Sequence, residues 1–292
     1  MFSPRIDQLT ITYADVAQHG ALIDFVRRSR FRLIQFGMAT LSLPLDQYHI
    51  SVAWHGERPV ALLLATPAAN QTAWVRSCAL DGISIAYHAE LIGLLASTLI
   101  YHAPCRALFY SSDHYDNWLS DILRGVGFVA HNTIIALETH HYQALPHATP
   151  ATLAPLGLAE YGDIQRIDAQ AFDPEWQKTS HDVRELTSGD GLSLIGVVDN
   201  VPVAYAIANW HDNHTTFHLV RIAVLPAYQG RRIASQLLNA VLEHGFVQGA
   251  TRVTLNTQRN NYAALALYTR AGFTATGEQY EVIRAQSHGV PE

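Results

Sequence analysis

The chain has 292 residues, 49% of them hydrophobic, and a formal net charge of −6 at pH 7. That length exceeds what one hydrophobic core usually serves, so two domains are expected. The acidic balance excludes a nucleic-acid footprint, which needs clustered Lys and Arg. Cys78 and Cys105 stand apart with no metal-ligand spacing, and Lys178 is the only lysine. The N-terminus lacks the pattern of a signal peptide, and the most apolar run, Leu91 to Ile100, is too short to span a bilayer. The expectation is a cytoplasmic protein without metal, membrane or nucleic-acid partners.

In chain order, strands are predicted at His49–Ala53 and Ala61–Ala65, followed by a long helix around Ala89–Ile100. Residues 139–157 are rich in Pro, Ala, Thr and His without periodicity, which suits an exposed connector. The chain then divides into domains 1–143 and 153–292, with a linker at 144–152. Residues 162–172 read as a helix. Leu192–Val198 and Pro202–Trp210 read as strands joined by an Asp199-Asn200 turn. Thr215–Leu225 is a strand. Arg232–Gly245 is a helix with Ile233, Leu237, Leu238, Val241 and Leu242 on one face. Arg252–Thr257 is a strand, Asn261–Ala271 a helix stopped by Gly272, and Gln279–Arg284 a last strand. This order implies a mixed, mostly antiparallel sheet flanked by helices, the α/β or α+β class.

The halves are faintly alike. Val75-Arg76 falls on Val220-Arg221 and, without a gap, Ala89 falls on Ala234 and Gly127-Phe128 on Gly272-Phe273. Upstream, 58–64 is similar to 201–207, two residues out of that register. Matches in one order between segments of one type suggest two copies of a fold.

The most informative stretch is RIAVLPAYQGRRIASQLL, residues 221–238. A strand stopped by Pro226, a polar loop with Gly230 and a helix start together offer free backbone N–H groups at the positive end of a helix dipole. Such a site suits phosphate. An ordinary turn between strand and helix has the same parts. The segment Gln229-Gly230-Arg231-Arg232-Ile233-Ala234, however, resembles the pyrophosphate loop Q/R-x-x-G-x-G/A of the GNAT superfamily of N-acyltransferases. Further on, NYAALALYTRAGF (261–273) is similar to that family's N-x-x-A-x-x-x-Y-x-x-x-G-F. The resemblance covers about residues 153–286 well and the first half weakly. Arg232 stands where the family usually has the loop's first glycine.

The resemblance implies an acetyl-CoA-dependent N-acetyltransferase acting on a small-molecule or peptide amine by direct attack on the thioester. The pantetheine arm would pair with Ile222, Ala223 and Val224, and the pyrophosphate would sit on amides from Gln229 to Ser235. Asn256, Asn261 and Ala264 would add cofactor contacts, and Tyr268 would protonate the departing thiolate. Asn261, Ala264 and Tyr268 share a helix face through their i, i+3, i+7 spacing, although Asn261 is equally a good helix N-cap. His218, upstream on the same strand, falls where similar GNAT members carry a catalytic glutamate, and its ordinary pKa of about 6.5 suits a general base. A strand histidine among apolar neighbours is often simply packed.

In the first half, Ser84–Ala89 stands in register with the phosphate loop without its motif. Leu123 takes the place of Tyr268 and Asp116 that of Asn261. This implies a degenerate GNAT-like copy in a tandem arrangement similar to that of mycothiol synthase, kept for architecture or for shaping the acceptor site. A non-catalytic acyl-CoA sensor is the alternative function, and the acidic balance disfavours a third, a tRNA-dependent transferase.

Overall fold

The computed structural model describes residues 4–35, 40–68, 71–112, 117–146, 151–157, 160–286 and 288. Asp116 and residues 147–150 of the expected connector lie outside them. The chain forms two compact units, Met1–His131 with Glu281–Glu292, and Asn132–Tyr280.

The first unit contains β1 (Thr10–Tyr13), α1 (Val16–Arg28), β2 (Phe31–Ile34), β3 (His49–His55), β4 (Arg58–Ala68), β5 (Thr72–Leu80), α2 (His88–His102), β6 (Ala107–Ser111) and α3 (Asn117–Gly125). β4 is apolar along almost its whole length because both its faces are covered. Leu62 and Leu64 share a core with Leu22 and Val26 of α1, while Ala61, Leu63 and Ala65 share one with Leu91 and Leu95 of α2. Neighbours in the order β1-β3-β4-β5-β6 are antiparallel except β5 and β6, which pair in parallel over Thr72–Trp74 and Ala107–Phe109. Past Trp74, β6 leaves β5. β2 takes over that edge, antiparallel, with Ile34 opposite Ser77 and Phe31 opposite Leu80.

After β7 (Val129–Thr139) come β8 (Thr152–Pro155), α4 (Tyr161–Ala171), α5 (Ser180–Thr187), β9 (Gly191–Val198), β10 (Val201–His211), β11 (Thr216–Val224), α6 (Ile233–Val247), β12 (Arg252–Gln258), α7 (Tyr262–Arg270) and β13 (Thr274–Gln286). The second unit orders its strands β7-β12-β11-β10-β9-β8, antiparallel except β11 with β12. Asp199 and Asn200 both take positive φ, 49° and 64°, as a tight two-residue hairpin requires. The five expected apolar positions of α6 are all buried to 1% exposure or less. Gly245 lets α6 approach the sheet closely, since a Cβ there would stand 2.8 Å from Phe217 Cδ1. α5, absent from the sequence reading, is short and starts from a Thr179–Asp182 capping box. Among the described residues no helix is long and apolar enough to cross a membrane.

Two features depart from a simple cut between copies. The connector is tied down where the sequence suggests exposure: Leu145 is buried, and both its backbone groups bond the Asn239 side chain, each at 2.8 Å. The buried amide makes the polar contacts a free linker would leave to water. The copies also exchange their last strands. β7, from the end of the first copy, pairs with β12 in the second unit, and Val282–Gln286 of β13 pair with β6 in the first.

A buried ionic network braces the second unit. Asp168 on α4 is 1% exposed. Arg221 Nη2 lies 2.8 Å from Asp168 Oδ2, and Arg221 Nε donates to the same oxygen at 2.9 Å. The Tyr205 hydroxyl donates to that oxygen too, and Lys178 N donates to Asp168 Oδ1 at 2.7 Å. Arg221 Nη2 reaches the Trp176 carbonyl at 2.7 Å, and its guanidinium carbon sits 3.6 Å from the Phe172 ring centroid. The segment between α4 and α5 is thus held to β10 and β11.

Asp168→Asn leaves the buried Arg221 charge uncompensated, and removing one member of such a pair costs roughly 3–5 kcal/mol. Denaturant unfolding should show a loss on this scale. A fragment beginning at residue 150 lacks β7, exposing the edge of β12 and removing Leu137 from the core. It is expected to aggregate in size-exclusion chromatography, while residues 132–280 give a cooperative thermal transition. Equal behaviour of the two fragments would show that β7 is dispensable.

Candidate active site

β11 and β12 are hydrogen-bonded in parallel only from Thr216–Arg252 to Leu219–Leu255. Along the β10 edge the register of β11 slips by one residue, Ile207 facing Arg221 and Ala208 facing Leu219, so Val220 is an extra residue, a β-bulge. From there on β11 keeps β10 and loses β12. Residues 220–224 therefore present backbone groups to an open cleft, and these include Ile222, Ala223 and Val224.

The cleft ends at the N-terminus of α6. Pro226–Tyr228 form a single 3₁₀ turn, Gln229 Nε2 donates to the Val224 carbonyl at 3.2 Å, and Gly230 follows with φ 77°. Arg232, the N-cap, is left-handed with φ 64° and ψ 15°. That conformation is one glycine adopts freely and an arginine adopts at about 1–2 kcal/mol. No side chain caps α6, and its first helical bond joins Gln236 N to Arg232 O. The amides of Ile233, Ala234 and Ser235 consequently have no partner among the described residues, so they and the helix dipole are available to an anion. The Arg231 guanidinium lies over the Tyr228 ring at 4.8 Å.

On α7, Asn261 acts as the N-cap, its Oδ1 accepting from Ala264 N at 3.3 Å. Tyr268 is 5% exposed, with its ring 5.8 Å from Phe273. Burial pushes its hydroxyl up to about 12. That hydroxyl has no hydrogen-bond partner among the described residues.

His218 sits one residue before the strands part. Its Nδ1 is 2.8 Å from Thr254 Oγ1, and the His211 ring meets it edge-on at 5.6 Å between centroids. Burial, with a smaller contribution from His211, lowers it from the ordinary imidazole range to about 4. The sequence assigned it an unperturbed value; packing on a central strand removes the water that would solvate imidazolium. His218 opens into a cavity of about 430 Å³ whose wall also includes Thr254 and Asn256. Asn256 therefore lines this cavity beside His218. The phosphate-loop residues, Ile222–Val224 and Tyr268 are not in its wall.

Charged residues that no local motif marks complete the cavity: Glu138 from β7, Asp212 from the β10–β11 turn, Arg252 from β12 and Glu278 from β13. Arg252 Nη1 reaches Glu138 Oε2 and Nη2 reaches Asp212 Oδ2, each at 3.3 Å. Hydrogen bonds from Thr216 and Arg252 hold the Asp212 carboxyl below its usual range. Glu138 belongs to the first copy in sequence, and its part in this wall follows from the strand exchange.

Residues 161–273 match the family model described as the acetyltransferase (GNAT) family. The N-alpha-acetyltransferase RimI of Mycobacterium tuberculosis is 32% identical over 138 residues, which cover 44% of this chain and 81% of that protein. The spore coat polysaccharide biosynthesis protein SpsD of Bacillus subtilis is 42% identical over 117 residues, 40% of this chain. The chain spans only 38% of that relative's length. Among solved structures, a tandem GNAT protein from the clavulanic acid biosynthesis pathway is similar across 97% of this chain and 99% of its own, with a TM-score of 0.54 at 13% identity, a likeness of fold. With an uncapped helix N-terminus at the end of a splayed parallel strand pair, and with most of RimI's length matched, the chain belongs to the GNAT acetyltransferase family.

Proposed function

We propose that this protein is an acetyl-CoA-dependent N-acetyltransferase with one active site, in the second unit, acting on a small-molecule or peptide amine. The observation that carries this reading is the presence in one unit of three things: the edge of β11 past Val220 that β12 does not pair, the amides at the start of α6 without partners among the described residues, and a Tyr268 hydroxyl likewise unpartnered. Ile222, Ala223 and Val224 would pair with the pantetheine arm. The amides from Gly230 to Ser235 would hold the pyrophosphate, with Arg231 and Arg232 adding charge, while the Gln229 amide, expected to join them, already donates to the Pro226 carbonyl at 3.2 Å. Asn261 caps the start of α7, and in this reading it and small Ala264, on the same helix face, would border the cofactor. When bound, acetyl-CoA supplies the acyl group as an activated thioester.

The chain's own residues then have distinct tasks. An amide freed at the bulge is the candidate donor for charge developing on the acyl oxygen. Tyr268 keeps its proton at neutral pH. With its hydroxyl near 12 and a thiol ordinarily near 8.5, full transfer to sulfur is uphill, so it acts as a hydrogen-bond donor to the leaving thiolate. His218 is neutral above about pH 4. With the Nδ1 proton donated to Thr254, its Nε2 accepts the proton that becomes strongly acidic once the amine nitrogen bonds the acyl carbon.

The reading includes a first unit that binds no cofactor. The edge of β5 homologous to Ile222–Val224 is Ser77–Ala79, and β2 already pairs with it. Leu123, at the position corresponding to Tyr268, is fully buried. A cytoplasmic location fits a protein with two lone thiols and a need for acyl-CoA.

Two experiments test these roles. Tyr268→Phe keeps the ring and loses the donor, so kcat should fall about 10²-fold, the scale of losing one hydrogen-bond donor to developing charge, with the acetyl-CoA Kd nearly unchanged. Full kcat retained under conditions where chemistry limits the rate would remove Tyr268 from catalysis. The pH profile of kcat/KM should rise with deprotonation of the acceptor amine and show no inflection near 6.5, because His218 is already the base form there. An inflection between pH 6 and 7 that His218→Gln abolishes would show that His218 titrates normally in the working enzyme.

A further inference from the structure

We infer that the acceptor is a small amine carrying a second positive charge, a diamine rather than a monoamine, and that Glu278, with Glu138 and Asp212, selects for that charge. This rests on the proposed N-acetyltransferase reading and concerns the cavity into which His218 opens. Its wall carries three carboxylates against one guanidinium, together with the imidazoles of His211 and His218, and His140 Nε2 stands 3.6 Å from Glu138 Oε1. Arg252 is already engaged by two of them, Glu138 and Asp212. Glu278 has no cationic partner among the described residues; its near neighbour is the Tyr280 hydroxyl at 3.5 Å. The cavity's volume of about 430 Å³ is that of a small-molecule site.

The charge matters because of what the reacting nitrogen must do. An amine drawn in as a cation has to lose its proton before it attacks, and with that proton it loses its attraction to the carboxylates. A second ammonium keeps that attraction through the transition state, where binding accelerates the reaction. One end of a diamine would then rest among Glu278, Glu138 and Asp212 while the other, unprotonated, lies within reach of His218. An excess of negative charge along the wall also raises the local concentration of a cation at low salt.

The test compares 1,4-diaminobutane with 4-amino-1-butanol, which has the same length and a hydroxyl in place of the second ammonium. CoA release by the full chain is followed at saturating acetyl-CoA and low salt, with rates referred to the unprotonated amine in each case. The expected kcat/KM advantage of the diamine is tenfold or more, well beyond its statistical factor of two. It should shrink as sodium chloride is raised, and Glu278→Gln should reduce the ratio several-fold. Equal values for the two acceptors, or a ratio untouched by both salt and Glu278→Gln, would overturn the charge selection while leaving the N-acetyltransferase reading standing. No CoA release from either amine or from a peptide N-terminus, with acetyl-CoA binding intact, would overturn that reading and the inference with it.

Discussion

One residue too many in a strand governs the second unit. Val220 has no counterpart on β10, so β11 bulges, and its parallel ladder with β12 ends at Leu219–Leu255. A sheet would normally not leave such an edge open, since unpaired backbone groups invite other partners. Here the open edge is bordered by firm structure on every side described. α6 backs the strand through Phe217 and Gly245, and Arg221, next to the bulge, is fixed by Asp168 and the Trp176 carbonyl. The ionic network keeps the bulged strand in one geometry, which a ligand-binding edge needs more than it needs stability.

The first unit meets the same constraint and resolves it internally. Its β5 also pairs in parallel with the next strand for only three residues, and a register shift between Leu64 and Ala65 marks a bulge at Arg76, one residue from the position aligned with Val220. There the edge left open is taken by β2, a strand of the same chain. Two copies of one backbone irregularity thus serve opposite ends. In one it is satisfied by a strand of the chain, and in the other no strand takes it among the described residues.

What could be read in the sequence was what depends on near neighbours. The apolar stripe of α6, the Asp199-Asn200 hairpin and the cap at Asn261 each need only a few adjacent residues, and each is where the sequence put it. Arg232 at a glycine position was visible in the loop pattern, though its left-handed backbone was not. The bulge at Val220 is a relation between two strands and leaves no mark in either alone. The depressed basicity of His218 comes from burial, a tertiary property. Glu138, Asp212 and Glu278 meet from three separate places in the chain, with no spacing to announce them. Nor does the composition of β7 say which sheet it joins, because a strand's alternation fits either copy equally.

The exchange of last strands has a consequence for how the protein comes into being. The second unit can assemble once its own stretch has emerged, since β7 precedes it in the chain. The first unit cannot complete its sheet then, because the partner of β6 is Val282–Gln286, which follow the whole of the second unit in the chain. Until those residues are made, β6 is an open edge on a nascent chain, the kind of surface that chaperones shield and that mispairs between neighbouring chains. Of the two units, the one begun first is completed second.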